Sequence, residues 1–202
     1  MKKLYILFII IVIVSGGLSC AYRYQPVIPE ERILYKNEVN SIAVVPFVNM
    51  AEGKGDIRNA TEIFSSELAR FREVNIVHPT SVAQYLYEHN IKLDSSNITA
   101  EALKIGAFFN VDTVIVGTIT EYNSFFPPIF GLSLLLIEVD TGKIIASRSE
   151  VYDSSFNYVR NELKTYASVK KLKDSLYEED LILHRFELYI RFVCHQIIKK
   201  YF

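Results

Sequence analysis

The chain has 202 residues, half of them hydrophobic, and its 22 basic and 23 acidic side chains leave a net charge of −1. Nucleic-acid-binding proteins usually carry a basic excess, so this balance argues against a nucleic acid as partner. With only two cysteines, Cys20 and Cys194, the chain also lacks the disulfide framework of many small secreted domains.

Residues 1–19 have the layout of a secretory signal. Lys2 and Lys3 give a positive start, residues 4–14 are an unbroken apolar run, and small or flexible residues follow. A membrane-spanning helix needs about 20 apolar residues, whereas this run has eleven. The pattern therefore predicts a signal peptide over residues 1–19 that is cleaved on export.

Cys20 is the predicted site of lipid attachment. The sequence of residues 17–20 resembles the lipobox of bacterial lipoproteins, which implies diacylglycerol on the thiol, palmitate as a further acyl chain and a cut before the cysteine. Several acyl chains hold a protein stably on a bilayer, so residues 20–40 are predicted to be a lipidated tether. By resemblance to Gram-negative sorting, Ala21 implies the periplasmic face of the outer membrane. A plain cleaved signal and an uncleaved signal anchor are the alternatives.

The first elements after the tether alternate between strands and helices. A β-branched apolar run at residues 41–47 predicts a buried strand that ends at Pro46. An apolar stripe over residues 57–71 predicts a helix that packs on the sheet. A second strand at residues 74–77 then precedes two more helices.

The second half of the chain supplies the remaining strands and two terminal helices. Strands are predicted at residues 113–120, 132–139 and 144–152, and Gly142 suits the positive φ of the tight turn between the last two. The stripe of the first terminal helix consists of Phe156, Val159, Leu163 and Tyr166. The order β-α-β-α-α-β-β-β-α-α predicts one three-layer α/β (α+β) domain over residues 41–202, with a mixed sheet of about five strands flanked by helices.

Three motifs, in this order along the chain, resemble one family. They are SIAVVPFVN at residues 41–49, IGA and VDTVIVGTI within residues 105–119, and IEVDTGKI at residues 137–144. They resemble conserved segments of the curli-transport (CsgG-type) lipoproteins, of the LpoB-type activators of penicillin-binding proteins and of the N-terminal domain of TolB. The resemblance covers residues 41–152 and implies the α/β domain of that family.

The chain departs from the curli channel between two predicted strands. In that channel each subunit adds long hairpins to a shared transmembrane barrel, and a spanning strand needs about 9–11 residues. Here only residues 123–131 connect the strands, and they include Pro127 and Pro128, which interrupt strand pairing. The sequence therefore predicts the domain without the channel's transmembrane hairpins.

The side chains with catalytic potential are better explained as structural. Cys194 and His195 look like a nucleophile and its base, but adjacent residues on a helix do not face each other, so Cys194 is predicted to lie in the core. The sequence contains no G-x-S-x-G motif. We therefore predict that the protein is not an enzyme, has no catalytic or metal-binding residues, and takes no cofactor or small-molecule substrate.

An aromatic loop supplies the candidate partner-binding residues, which are Phe125, Phe126, Pro127, Pro128 and Phe130. Exposed apolar patches often mark partner sites. The alternative is that these rings fold back beneath the terminal helices.

These features together predict a non-enzymatic, lipid-anchored protein of the cell envelope. It would act as an assembly or secretion accessory, or as a scaffold, by contacting other envelope proteins or copies of itself. The resemblance leaves two alternatives, a pore-forming subunit of the curli type and an LpoB-like activator of peptidoglycan synthesis.

Overall fold

The computed structural model describes residues 39–52, 57, 59–71, 73–93, 97–171 and 178–202. The predicted signal peptide, Cys20 and the tether up to residue 38 lie outside the described residues. Their processing and lipidation therefore stay predictions.

Six strands and six helices make up the described part of the chain. The strands are β1 (Ser41–Val44), β2 (Val48–Asn49), β3 (Asn75–Val77), β4 (Thr113–Asn123), β5 (Ile129–Glu138) and β6 (Ile144–Asp153). The helices are α1 (Ala60–Phe71), α2 (Pro79–Glu88), α3 (Ile98–Phe109), α4 (Asn157–Lys171), α5 (Glu179–His184) and α6 (Phe186–Tyr201).

The strands form one mixed sheet in the order β3-β1-β4-β5-β6, with the short β2 also paired to β4. Strand β1 runs parallel to both β3 and β4, whereas β4, β5 and β6 are consecutive antiparallel strands. Gly142 has a φ of 68° in the turn between β5 and β6, which confirms the prediction for that turn. The predicted mixed α/β fold is thereby confirmed.

Helices cover both faces of the sheet, which gives the predicted three layers. The larger core holds alternate residues of β1, β4 and β5 against α1, α4, α5 and α6. The smaller core packs Val82 and Tyr85 of α2 and Ala102 and Ile105 of α3 against the opposite face. Strand β1 is buried on both sides because Ile42 and Val44 point into one core while Ala43 points into the other.

Three details of the sequence prediction are wrong. The first predicted strand ends at Val44, and Val48–Asn49 form a separate strand that pairs with β4. Among the described residues after Asp153 there are three helices instead of two, because α5 ends at His184 before α6 begins. Phe156 precedes α4 and is 54% exposed, so it does not belong to the buried stripe of that helix.

None of the described helices is both long and apolar enough to cross a membrane.

A buried carboxylate joins three helices of the larger core. The side chain of Glu67 in α1 has no exposed surface, and its Oε1 accepts hydrogen bonds from Arg70 and Arg191, each at 2.9 Å. On the other oxygen, His195 Nδ1 lies at 3.5 Å and Lys170 Nζ at 4.0 Å. Since Arg191 and His195 belong to α6 and Lys170 belongs to α4, this one side chain links α1 to both.

The cationic surroundings keep Glu67 ionised. Burial by itself raises the pKa of this carboxyl, but the contact with His195 and the hydrogen bond of Arg191, together with the charges of Lys170 and Arg70, outweigh it and hold the pKa at about 2. The ordinary value is 4.5. Because the folded pKa is the lower one, the stabilisation is complete above the ordinary value and is lost as the pH falls toward 2.

Replacing Glu67 with Gln should lower the free energy of unfolding at pH 7 by about 3–5 kcal/mol, because the largely buried side chains of Arg191 and Lys170 lose their shared partner. Urea denaturation followed by circular dichroism measures the change. The exposed Glu62 of the same helix is the matched control, and Glu62→Gln should change it by less than about 0.5 kcal/mol. Between pH 7 and pH 3 the wild type should lose more stability than Glu67→Gln. Equal losses would contradict the role of this carboxylate.

Candidate partner-binding surface

The aromatic loop, residues 124–128, connects β4 to β5 at one end of the sheet. Asn123, the last residue of β4, fixes the loop with both ends of its side chain. Its Oδ1 accepts a hydrogen bond from the Phe125 amide at 3.2 Å, and its Nδ2 donates to the Pro127 carbonyl at 3.3 Å. The loop conformation is therefore set by the strand that precedes it.

The five candidate residues divide between the surface and the core. Phe125 is 63% exposed and Phe126 is 55% exposed. Pro127 is half-buried, Pro128 is buried, and Phe130 is fully buried with its ring 6.2 Å from that of Phe186 in α6. The structure thus places Phe125 and Phe126 where a partner can reach them, while Phe130 packs beneath a terminal helix. Partner binding itself stays a prediction.

Phe126 is held in place although most of its ring faces solvent. Its ring stacks on His184 of α5, with the centroids 5.4 Å apart and the planes 7° apart. The guanidinium carbon of Arg160 lies 5.8 Å from the Phe126 centroid, and Arg160 Nε donates to the Ser154 carbonyl at 3.0 Å. A ring that is already ordered loses little conformational freedom when a partner binds.

Two further aromatic side chains are exposed at the same end of the sheet. The Ser154 amide donates to the Pro128 carbonyl at 3.1 Å, which fastens the turn after β6 to the aromatic loop. Just beyond this turn, Phe156 is 54% exposed and Tyr158 is 56% exposed, and their rings stack with centroids 6.0 Å apart. We call Phe125, Phe126, Phe156 and Tyr158 the aromatic end.

The sequence prediction missed half of this surface because it placed Phe156 in the apolar stripe of α4. The available signal is Ser154-Ser155, a turn-forming pair that delays the start of the helix until Asn157. Tyr158 was outside that stripe and received no role. Burial and the nearby charge of Glu162 raise the pKa of Tyr158.

The chain enters the domain at the opposite end of the sheet. Asp112 Oδ2 accepts hydrogen bonds from the amides of Asn40 and Ser41, at 2.8 and 3.0 Å, directly before β4 begins. Strand β4 then runs eleven residues from Thr113 to Asn123, about 35 Å at the usual rise of a strand. Asn40 and the aromatic end therefore lie at opposite ends of the sheet.

Cys194 and His195, which resemble a nucleophile and its base in the sequence, pack against neighbouring side chains in the structure. Cys194 is fully buried, which confirms its prediction as a core residue, and burial raises the pKa of its thiol. His195 lies between the rings of Phe71 and Tyr166, at 4.7 and 4.9 Å, and contacts Glu67. Cys194 thus belongs to the larger core, and His195 belongs to the contacts that join α1 to α6.

Comparison with known proteins finds likeness in the fold. The chain matches no protein-family model and no curated protein. The C-terminal domain of LpoB from Salmonella enterica is 20% identical over 57% of this chain and 84% of the other, with a TM-score of 0.45. A lipoprotein from Neisseria meningitidis is 22% identical over 68% and 99%, with a TM-score of 0.45. The PelC dodecamer from Paraburkholderia phytofirmans is 18% identical over 74% and 87%, with a TM-score of 0.39.

These similarities concern the arrangement of strands and helices. The solved structures that resemble this chain include three of LpoB. The predicted likeness to the CsgG-type lipoproteins and to TolB stays a prediction.

Because Phe126 is exposed and Phe130 is buried, changing each to Ala should lower the free energy of unfolding by different amounts. Phe130→Ala should lower the free energy of unfolding by about 3–5 kcal/mol, because it leaves a cavity beneath α6. Phe126→Ala should cost less than about 1.5 kcal/mol, since it removes one stacking contact at the surface. Urea denaturation of the two variants measures the difference. Similar losses in both would show that Phe126 is a core residue.

Proposed function

We propose that the protein is a non-enzymatic envelope lipoprotein that binds another envelope protein through the aromatic end. The observation that supports this most directly is the exposure of four aromatic side chains at one end of the sheet, each more than half exposed. Clusters of this kind are uncommon on the surface of a protein that acts alone.

The composition of the aromatic end suits a protein partner. Phenylalanine, tyrosine and arginine are enriched at the centres of protein interfaces, and Arg160 lies beside Phe126 in this surface. Side chains with few rotatable bonds bury a large area at a small entropic cost. The stacking of Phe126 on His184 lowers that cost further, because the ring is ordered before the partner arrives.

The position of the aromatic end suits a protein that is anchored through its N-terminus. The proposed lipid on Cys20 would attach the domain to the periplasmic face of the outer membrane, through a chain that joins the sheet at Asn40 and Asp112. The aromatic end lies at the other end of β4 from Asn40. The domain would then serve as a scaffold or as an assembly and secretion accessory.

Changing Phe125 and Phe126 together to Ser should abolish recovery of the partner after chemical crosslinking in cells and affinity purification of the full-length protein. Both side chains are exposed, so the fold should be retained. The matched control is Tyr87→Ser, because Tyr87 is 87% exposed on α2 and lies outside the aromatic end. Equal recovery from the two variants would remove the aromatic end from the proposal.

The lipid anchor is tested separately. Cys20→Ala should move the protein from the outer-membrane fraction to another fraction and leave the signal segment uncleaved, because both lipid attachment and the cut depend on that thiol. Membrane fractionation and the intact mass of the purified protein measure the two effects. Unchanged partitioning and an unchanged processed mass would contradict the proposed location.

A further inference from the structure

The outer edge of β6 is a long strand edge with no neighbour among the described residues. Strand β6 has ten residues and pairs with β5 on one side only. At the other edge of the sheet, β3 has three residues. Unpaired strand edges are sites at which another chain can extend the sheet, and β6 offers the longer one.

The exposed face of β6 carries little that would keep another strand away. Ser147, Ser149 and Val151 are exposed and alternate along the face of β6 that points away from α4 and α6. The side chains are small and uncharged, and β6 contains neither proline nor lysine, which are common means of blocking a sheet edge. The one irregularity in its pairing with β5 lies near Ile144, at the start of the strand.

Two charged residues of β6, Arg148 and Glu150, lie on its other face, beneath the end of α6. Lys200 Nζ donates to Glu150 at 2.6 Å, and the Tyr201 hydroxyl also donates to this carboxylate. The guanidinium of Arg148 lies 5.2 Å from the Tyr201 ring and donates to the Ser147 carbonyl at 2.7 Å. Opposite charges therefore stand two residues apart on the same face of the edge strand.

This spacing makes the edge complementary to itself. When two copies of β6 pair in antiparallel fashion about a twofold axis through Ser149, each Arg148 lies opposite Glu150 of the second copy. Oppositely charged side chains at directly opposite positions stabilise a pair of strands. Ala146 then lies opposite Tyr152, and Ser147 lies opposite Val151, so that a small residue faces a larger one in each of these pairs.

The neighbouring registers lack this complementarity. Two residues that pair directly across the strands must point to the same face of the sheet. In a twofold pair, one residue of β6 therefore lies opposite its own copy, and the axis is named by that residue. An axis through Arg148 sets that residue opposite itself, and an axis through Glu150 does the same for the carboxylate. Like charges at opposite positions destabilise a strand pair. The central register through Ser149 is therefore the favoured one.

We propose that a second copy of this chain binds at the β6 edge, so that the two sheets become one continuous sheet with its twofold axis at Ser149. The pairing is isologous, as in most homodimers. It uses a different part of the molecule from the proposed partner surface, since Ser149 lies within β6 and the aromatic end follows that strand. Each subunit of the dimer can therefore present its own aromatic end.

Oxidative crosslinking of full-length Ser149→Cys tests this geometry. On the axis the two introduced thiols lie on opposite residues, whose Cβ atoms are about 4.5–5.5 Å apart, so mild oxidation should give a disulfide-linked dimer on a non-reducing gel. Ser147→Cys is the matched control, because Ser147 is exposed on the same face. Its two copies would lie about 14 Å apart along the strands, too far for a disulfide. Adding Val151→Cys to Ser147→Cys should restore the dimer.

A charge reversal tests the same register without a covalent bond. Arg148→Glu sets two carboxylates opposite each other at both symmetric positions, so dimerisation measured by analytical ultracentrifugation should weaken by about tenfold or more. Lys164→Glu, at an exposed position of α4, makes the same charge change away from the edge and should leave dimerisation unchanged. No dimer band from Ser149→Cys, or equal bands from Ser149→Cys and Ser147→Cys, would overturn the proposal.

Discussion

The antiparallel pairing of β4 with β5 sets the geometry on which the rest of the structure depends. It runs from Thr113, close to the point where the chain enters the sheet at Ser41, to Asn123, where the aromatic loop begins. Helices pack on both faces of this pair, and β6 extends it by a further strand. The pairing therefore separates Asn40 from the aromatic end, and β6 forms an edge of the sheet.

Much of this fold could be predicted from local sequence patterns. The run of β-branched residues in β4 and the turn at Gly142 identify the long antiparallel strands, because both signals are set by neighbouring residues. The two-residue strand β2 was missed because it depends on pairing with β4, about 70 residues away. The exposed position of Phe156 was missed for a related reason, since the same residue fits the helical stripe of α4.

The candidate site was predicted in part, and the features that the sequence did not predict have a physical explanation. Loop sequence identifies Phe125 and Phe126, but it cannot show that Phe130 turns inward toward α6 or that His184 supports Phe126, since these contacts join distant segments. Glu67 was missed, although the sequence carries a signal for it. This charged residue falls on the apolar face of α1, between Phe64 and Leu68. A charge at such a position requires partners, and these come from α4 and α6.

The aromatic end is the proposed contact surface for another envelope protein. Site-specific photocrosslinking in cells tests this most directly, with a photoreactive amino acid placed at Phe125 in one strain and at Tyr87 in another. Both positions are exposed, and they lie on different parts of the domain. A discrete crosslinked product is expected from position 125 and not from position 87. Crosslinks at position 87 alone, or none at position 125, would contradict it.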